Sequence, residues 1–306
     1  MLIAGATGVG KSALALELAK RLGGEIISVD SMQVYCGLDI GTAKPGRPER
    51  AEVPHHLIDI RKLTESFDAA AFVREANAAC QAIAARGRVP ILCGGTGLYF
   101  RAWLEGLGTA PAPSAELRAE LETVPMPALL DELSRLDPPT FQAIDRQNRR
   151  RVVRAVEVIR LTGRPFSAQR AHWNREKRPA FTIALERNPA ELNRRIEVRV
   201  DQMFAAGLVE ETRNLLAELR SNQTAAQAIG YRQLLEFFDE KRDLASTIEA
   251  IKIRTRQFAK RQRTWFKSQI NLEWILLDKT SNAEEIAREL ERSYSRRTGS
   301  EPAKAI

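Results

Sequence analysis

The chain has 306 residues, enough for about two domains at roughly 150 residues each. Hydrophobic residues make up 44% and charged residues 28%, which excludes a mainly disordered chain; Lys and Arg outnumber Asp and Glu by 47 to 39, a net charge of +8. The longest apolar runs, such as Trp274–Leu277, fall far short of the ~18 residues that span a bilayer, and the opening MLIAGATGVGK lacks the basic start of a signal peptide. No membrane partner is expected, and a cytoplasmic location is.

Cys36, Cys80 and Cys93 form no C-x-x-C pair, so each is expected to be a small buried hydrophobe rather than a disulfide or zinc ligand. His55, His56 and His172 lack the i,i+4 spacing of a helical zinc site and are expected in loops or polar contacts. The cationic excess fits solubility, stray arginines or a polyanionic partner, and composition does not choose among them.

In chain order, β-branched apolar runs at Met1–Ala4, Glu25–Val29 and Val89–Cys93 alternate with helix-period segments at Lys11–Leu22 and Asp68–Arg86. That alternation predicts βαβ units and a parallel sheet. From Pro111 to Pro179 only helix-period positions occur, carried by Leu117, Leu121, Leu129, Leu130, Leu133, Val152, Val153, Val156 and Ile159. Strands return at Phe181–Leu185 and Leu272–Leu277, with helices over 190–267 between them, and Ser281-x-x-Glu284 reads as a capping box before a charged tail helix. The expected fold class is α/β: a P-loop NTPase-like parallel-sheet core over 1–112 and 179–280, a helical insertion domain over 113–178, and a tail over 281–306.

The strongest motif is Gly5-Ala6-Thr7-Gly8-Val9-Gly10-Lys11-Ser12, a G-x-x-x-x-G-K-[ST] loop between a strand and a helix. Its glycines let successive N–H groups turn toward phosphate oxygens. The helix N-terminus adds a positive dipole end, Lys11 a point charge and Ser12 a hydroxyl for Mg2+. Gly8-x-Gly10-x-x-Ala13 with Asp30 downstream also suggests a dinucleotide turn, but Lys at the helix start argues for phosphate. The motif reads phosphates, not adenosine, so a nucleoside triphosphate or any Mg2+-bound diphosphate would suit it.

Glu25–Asp30 ends an apolar strand in a carboxylate, at the edge of an open parallel sheet where ligands bind. Asp30 is thus a candidate water-mediated Mg2+ ligand or general base. The stretches around it are Asp30-Ser-Met-Gln-Val-Tyr35, Gly37-Leu-Asp-Ile-Gly-Thr-Ala-Lys-Pro45 and Val53-Pro-His-His-Leu-Ile-Asp59. Further on come Gly94-Gly-Thr-Gly-Leu-Tyr99, Arg150–Glu157, Asn193–Asp201, Ala228-Ile-Gly-Tyr-Arg232 and Ala259-Lys-Arg-Gln-Arg-Thr-Trp265. Together these resemble the bacterial tRNA dimethylallyltransferases (tRNA isopentenyltransferases), collinearly from residue 2 to about residue 277.

The resemblance implies transfer of a dimethylallyl group from dimethylallyl diphosphate to N6 of the adenosine 3′-adjacent to the anticodon, in tRNAs that read codons beginning with U. The loop would then hold the prenyl diphosphate rather than ATP, with Mg2+ on Ser12, Lys11 on the leaving group and Arg213 as a further grip on it. Asp30 would be the general base, Ser31, Met32 and Gln33 would recognise the base, and Thr96 and Arg118 would lie by the reaction channel. It also implies tRNA contacts by Tyr231 and Arg232. Val156 stands where the family commonly has Leu, and the tail lacks the Cys and His of eukaryotic relatives' zinc finger. Rival readings are a P-loop kinase or NTPase, an RNA-binding module with a relic loop, and a prenyltransferase acting on free adenine nucleotides.

Two basic clusters favour RNA. Residues 250–267 hold seven basic residues and no acidic one. At about 100° per residue, Lys252, Arg256, Lys260, Arg263 and Lys267 form one stripe, with Ile251, Phe258, Trp265 and Phe266 on an apolar side. Arg261, Gln262 and Trp265, within the same stretch, are also expected to contact tRNA. A second cluster, Arg146, Arg149, Arg150, Arg151 and Arg154, lies in the insertion. The two are expected to clamp the anticodon stem-loop of tRNA, with the protein acting as a monomer.

Overall fold

The structure, a computed structural model, describes residues 1–171 and 181–298. Two compact units are present, one drawn from Met1–Leu104 and Arg175–Ile306, the other from Glu105–Asn174. His172 and the expected boundary at 178 lie outside the described residues.

The first unit is built on a six-stranded parallel sheet: β1 (Leu2–Gly5), β2 (Gly24–Val29), β3 (His55–His56), β4 (Val89–Gly94), β5 (Thr182–Arg187) and β6 (Glu273–Leu277), in the order β3-β2-β4-β1-β5-β6. Side chains alternate across it, as a pleated strand requires. Leu2, Ala4, Ile27, Val29 and Leu92 enter one apolar cluster, while Ile3, Ile26, Ile91, Cys93 and Ile183 enter the other. Both faces are covered, which is why these strands read as continuous apolar runs.

Among its helices, α1 (Lys11–Leu22) starts at the left-handed Gly10 and stops at the left-handed Gly23. Next come α2 (Arg47–Glu52), α3 (Ala69–Ala85), whose N-terminus is capped by Asp68 accepting from the Ala71 N–H, and α4 (Gly97–Glu105). The second unit holds α5 (Ala115–Thr123), α6 (Met126–Leu136), α7 (Pro138–Ala143) and α8 (Arg149–Thr162). The first unit resumes with α9 (Pro189–Ala205), α10 (Leu208–Asn214), α11 (Leu216–Ser221), α12 (Tyr231–Phe238), α13 (Leu244–Gln269) and α14 (Ala283–Thr298). No helix of the described residues is long and apolar enough to cross a membrane.

Some details differ from the sequence reading. The two-residue β3 carries no periodicity to detect, and it moves the insertion to between β4 and β5. Its His56 meets the Glu25 carboxylate at 2.6 Å. Cys93 is buried, but Cys36 is exposed, its thiol donating to the Asp59 carbonyl at 3.2 Å. Ser281 does not cap α14. It hydrogen-bonds Asp278 instead, and the Asn282 carboxamide accepts the Glu284 N–H at 3.0 Å. Phe258 is exposed, so α13 is anchored by Ile251, Ala259 and Phe266.

The insertion unit buries Leu121, Leu129, Leu133, Val152, Val153, Val156 and Ile159 in one core. Within it Glu157 is fully buried. It accepts from Ser114 N–H at 2.9 Å, meets Arg118 at 3.0 Å and Arg154 at 2.6 Å. Removing one partner of such a group strands charge in low dielectric, so Glu157→Ala should destabilise this unit by about 3–5 kcal/mol. Chemical denaturation followed by proteolysis within 105–171 would measure it.

Candidate functional site

Parallel strands end on one edge, and the register decides what meets there. Ala4 and Val29 both pair with Gly94, and Gly5 pairs with Leu185. The loop after β1, Asp30 after β2 and Gly95 after β4 therefore leave the sheet side by side. Gly94 is required by this closeness: a Cβ there would lie 2.1 Å from the Val29 carbonyl oxygen.

The loop Gly5–Ser12 takes positive φ at Gly5, Gly8 and Gly10 (146°, 78° and 113°), which only glycine adopts readily. Three cations hold its carbonyls. Lys11 Nζ donates to Ala6 O at 2.7 Å, Arg195 Nε to Gly8 O at 2.9 Å and Arg187 Nε to Val9 O at 2.9 Å. With those carbonyls fixed, the N–H groups of Gly8, Gly10, Lys11 and Ser12 have no acceptor among the described residues. That is the donor array a phosphate needs at a helix N-terminus.

Lys11 is half-buried, and burial lowers its pKa to about 8. Its neighbours act in opposite senses: Cys93 and Asp30 raise the value and Arg199 lowers it. Arg199, on α9, is lowered by burial, raised by Asp30 and lowered by Arg195, and makes no ion pair among the described residues. A desolvated Lys and Arg that share one carboxylate neighbour favour an anion between them. Arg195 and Arg199 were not singled out from the sequence. Their spacing of four on α9 was visible, but nothing local tied them to a loop 187 residues away.

Asp30 Oδ1 accepts the N–H groups of Met32 (2.8 Å) and Gln33 (3.3 Å), so the carboxylate shapes its own turn. Its Oδ2 has no partner among the described residues. Thr96 Oγ1 accepts the Ser31 N–H at 3.2 Å, joining the turns after β2 and β4. The Gln33 carboxamide is used internally: Oε1 accepts from Ser28 at 2.8 Å and Nε2 donates to Thr42 O at 3.2 Å. These bonds fix its orientation beside Asp30.

Ser12 is exposed, and its hydroxyl has no hydrogen-bond partner among the described residues, which contain no cluster of three metal-capable His, Cys, Asp or Glu side chains. One hydroxyl by a phosphate loop suits Mg2+, which takes one or two protein oxygens and completes its shell with phosphate and water.

Several other expected site residues are engaged by partners within the protein. Arg213 is half exposed, paired with Glu210 at 2.5 Å and stacked over Phe238 at 5.5 Å. Tyr231 is fully buried, its hydroxyl donating to Glu211 at 2.7 Å, and cannot touch RNA. Glu211 also accepts the N–H groups of Asp39, Ile40 and Gly41. Gln262 is buried too. Arg118 and Arg154 serve Glu157. Arg149 holds the carbonyls of Leu121, Glu122 and Val124 at the end of α5.

The α13 stripe is largely compensated. Lys252 pairs with Asp201 (2.7 Å), Arg256 with Glu197 (2.6 Å), and Arg263 and Lys267 with Glu186. Within the stripe, Lys260 alone has no partner among the described residues. Arg261 stacks over Phe258 at 5.9 Å, and Trp265 packs above Gly97. Arg232 is exposed and contacts Gln227 and Glu236, whereas the side chains of Arg150 and Arg151 are exposed and without partners among the described residues.

Residues 33–269 match the family model described as IPP transferase. The chain is 45% identical over 288 residues to tRNA dimethylallyltransferase 1 of Trichlorobacter lovleyi, covering 92% of this chain and 94% of that protein. It is 43% identical over 296 residues to the tRNA dimethylallyltransferase of an Anaeromyxobacter species, covering 95% and 98%. Among solved structures, the tRNA isopentenylpyrophosphate transferase of Bacillus halodurans superposes with a TM-score of 0.70 at 38% identity, covering 97% of each chain. A eukaryotic dimethylallyltransferase captured acting on tRNA superposes at 0.77 with 28% identity, covering 99% of this chain and 80% of that one.

Proposed function

The chain belongs to the IPP transferase family, and from that premise we propose that it transfers the dimethylallyl group of dimethylallyl diphosphate to N6 of the adenosine 3′-adjacent to the anticodon, in tRNAs reading codons that begin with U. It is an enzyme, a tRNA-modifying prenyltransferase. One observation carries the mechanistic reading: Asp30, Thr96 and an anion-ready phosphate loop leave adjacent strand ends.

In the reaction the N6–C1 bond forms while the C1–O bond to diphosphate breaks. Diphosphate departs with the bonding electrons, and the amine proton passes to Asp30. The exocyclic amine is a weak nucleophile, because its lone pair is delocalised into the ring, so alignment matters more than basicity. The free N–H groups of the loop and Lys11 stabilise charge growing on the leaving oxygens. Arg199, rather than Arg213, is our choice for the guanidinium that grips them, since it is desolvated and makes no ion pair among the described residues. Ser12 would hold Mg2+, which screens the diphosphate charge when bound. The adenosine must leave its stack to reach Asp30, at about a few kcal/mol. Ser31, Met32 and Thr96 line the turn it would meet.

Exposed Arg150, Arg151, Lys260 and Arg261 would take tRNA phosphates, a task spread over the insertion and α13. Action as a monomer in the cytoplasm is part of the same proposal. Lys260→Met should weaken tRNA binding and reduce the slope of log Kd against log salt by about 1. An unchanged slope in salt-titrated filter binding would remove Lys260 from the interface. The function itself is tested by incubating the protein with labelled dimethylallyl diphosphate and unmodified tRNA. Label should appear on tRNA; ATP consumption without transfer would overturn the reading.

A further inference from the structure

The Gln262 side chain spans two loops that the sequence keeps far apart. Its Oε1 accepts the N–H of Thr7 in the phosphate loop at 2.9 Å, and its Nε2 donates to the carbonyl of Gly95 at 2.9 Å. Gln262 is only 8% exposed, and both ends of its carboxamide are used in the orientation that satisfies them. Room for it has been made. A Cβ on Gly95 would lie 2.4 Å from Gln262 Nε2, and a Cβ on Gly97 would lie 2.2 Å from the Trp265 ring. The glycines after β4 therefore admit two side chains of α13.

The bonds continue on both sides. Gly95 precedes Thr96, whose N–H donates to Val29 O at 3.2 Å and whose Oγ1 accepts from Ser31 N–H at 3.2 Å, next to Asp30. Thr7 precedes the N–H groups left open for phosphate. Gln262 thus closes a hydrogen-bonded path from the loop that would hold the leaving group to the turn that would hold the base. The next residue, Arg263, is fixed by Glu186 at the end of β5, so the helix cannot slide past the two loops without breaking an ion pair.

We propose that Gln262 is a positioning residue for prenyl transfer: it sets the spacing between the phosphate loop and the Asp30–Thr96 turn, and so between C1 of the prenyl donor and the accepting amine. This rests on the transferase reading above. Gln262 touches neither substrate, so its loss changes alignment rather than affinity. Misplacement by about 1 Å can cost 10²-fold in rate.

Two variants of the full-length chain test it. Gln262→Met keeps the volume and loses both hydrogen bonds. Gln262→Glu keeps an acceptor for Thr7 and turns a second oxygen on the Gly95 carbonyl. With dimethylallyl diphosphate and unmodified tRNA, both should lower kcat by about 10²-fold while KM for each substrate stays within about threefold. Amide exchange of the empty protein, read by mass spectrometry on peptides covering 5–10 and 93–98, should be about tenfold faster in both variants, as expected when a local opening becomes easier. A kcat within threefold of the parent, KM rising with kcat unchanged, or unchanged exchange in both peptides would each overturn the proposal. So would failure of both variants to fold, which would make Gln262 a structural residue. A parent chain that transfers no label counts against the transferase reading, and the exchange data still decide whether Gln262 couples the loops.

Discussion

Asp30→Asn is expected to lower kcat for prenyl transfer by about 10²–10⁴-fold, the usual worth of a positioned general base, with Kd for tRNA and for dimethylallyl diphosphate within a few-fold of the parent. Asparagine is the informative replacement because Asp30 has two tasks. Its Oδ1 shapes the turn by accepting the Met32 and Gln33 N–H groups, and an asparagine oxygen at the same position can do so. Its second oxygen, without a partner among the described residues, is the one left for the amine proton. Asparagine keeps the first task and removes the second. Asp30→Ala removes both, so it should be less active still and less stable. Single-turnover assays on protein whose melting temperature is unchanged would separate these effects. Asp30→Asn turning over within tenfold of the parent would remove Asp30 as the base.

What the sequence disclosed and what it hid follow from the range of the interactions. The phosphate loop is legible because eight adjacent residues carry its chemistry, and α1 follows it at Lys11 as the pattern demands. Asp30 is legible because a carboxylate at the end of an apolar strand has few places to be in a parallel sheet. Gln262 is not, because its partners lie 255 and 167 positions away. On a helical wheel it belongs with the basic residues around it. The α13 stripe shows the same limit. Counting cations on one face cannot reveal that Glu197 and Asp201 on α9, and Glu186 on β5, neutralise most of them. Tyr231 and Arg213 are assigned to the site by family motif alone, and the contacts that both side chains make with glutamates on α10 have no local signature.

Lys11 should make ligand binding depend on pH. Burial holds its pKa at about 8, below the ordinary 10.5. Between those values an unfolded chain keeps the proton that the folded chain has released, so protonation favours unfolding there. The empty protein therefore carries the full penalty of the buried charge below about pH 8, and recovers stability as pH rises from 8 toward 10.5. A diphosphate reverses this, because its charge favours the ammonium form. The ligand's own last ionisation, near about pH 6, is complete in this range, and Cys93, pushed up to about 11 by burial, does not titrate. Binding at pH 9 should then take up close to one proton per dimethylallyl diphosphate, and at pH 7 almost none. The affinity should fall about tenfold per pH unit above 8, the slope for one linked proton. Calorimetry in buffers of different ionisation enthalpy reads the uptake directly. Lys11→Met should abolish it and lower kcat by about 10²–10³-fold, the cost of losing one donor to a developing anion. Uptake that persists in Lys11→Met would assign the proton to another group. No uptake at pH 9 in the parent would mean that Lys11 is already charged in the empty site, with Asp30 and the field of the loop outweighing its burial.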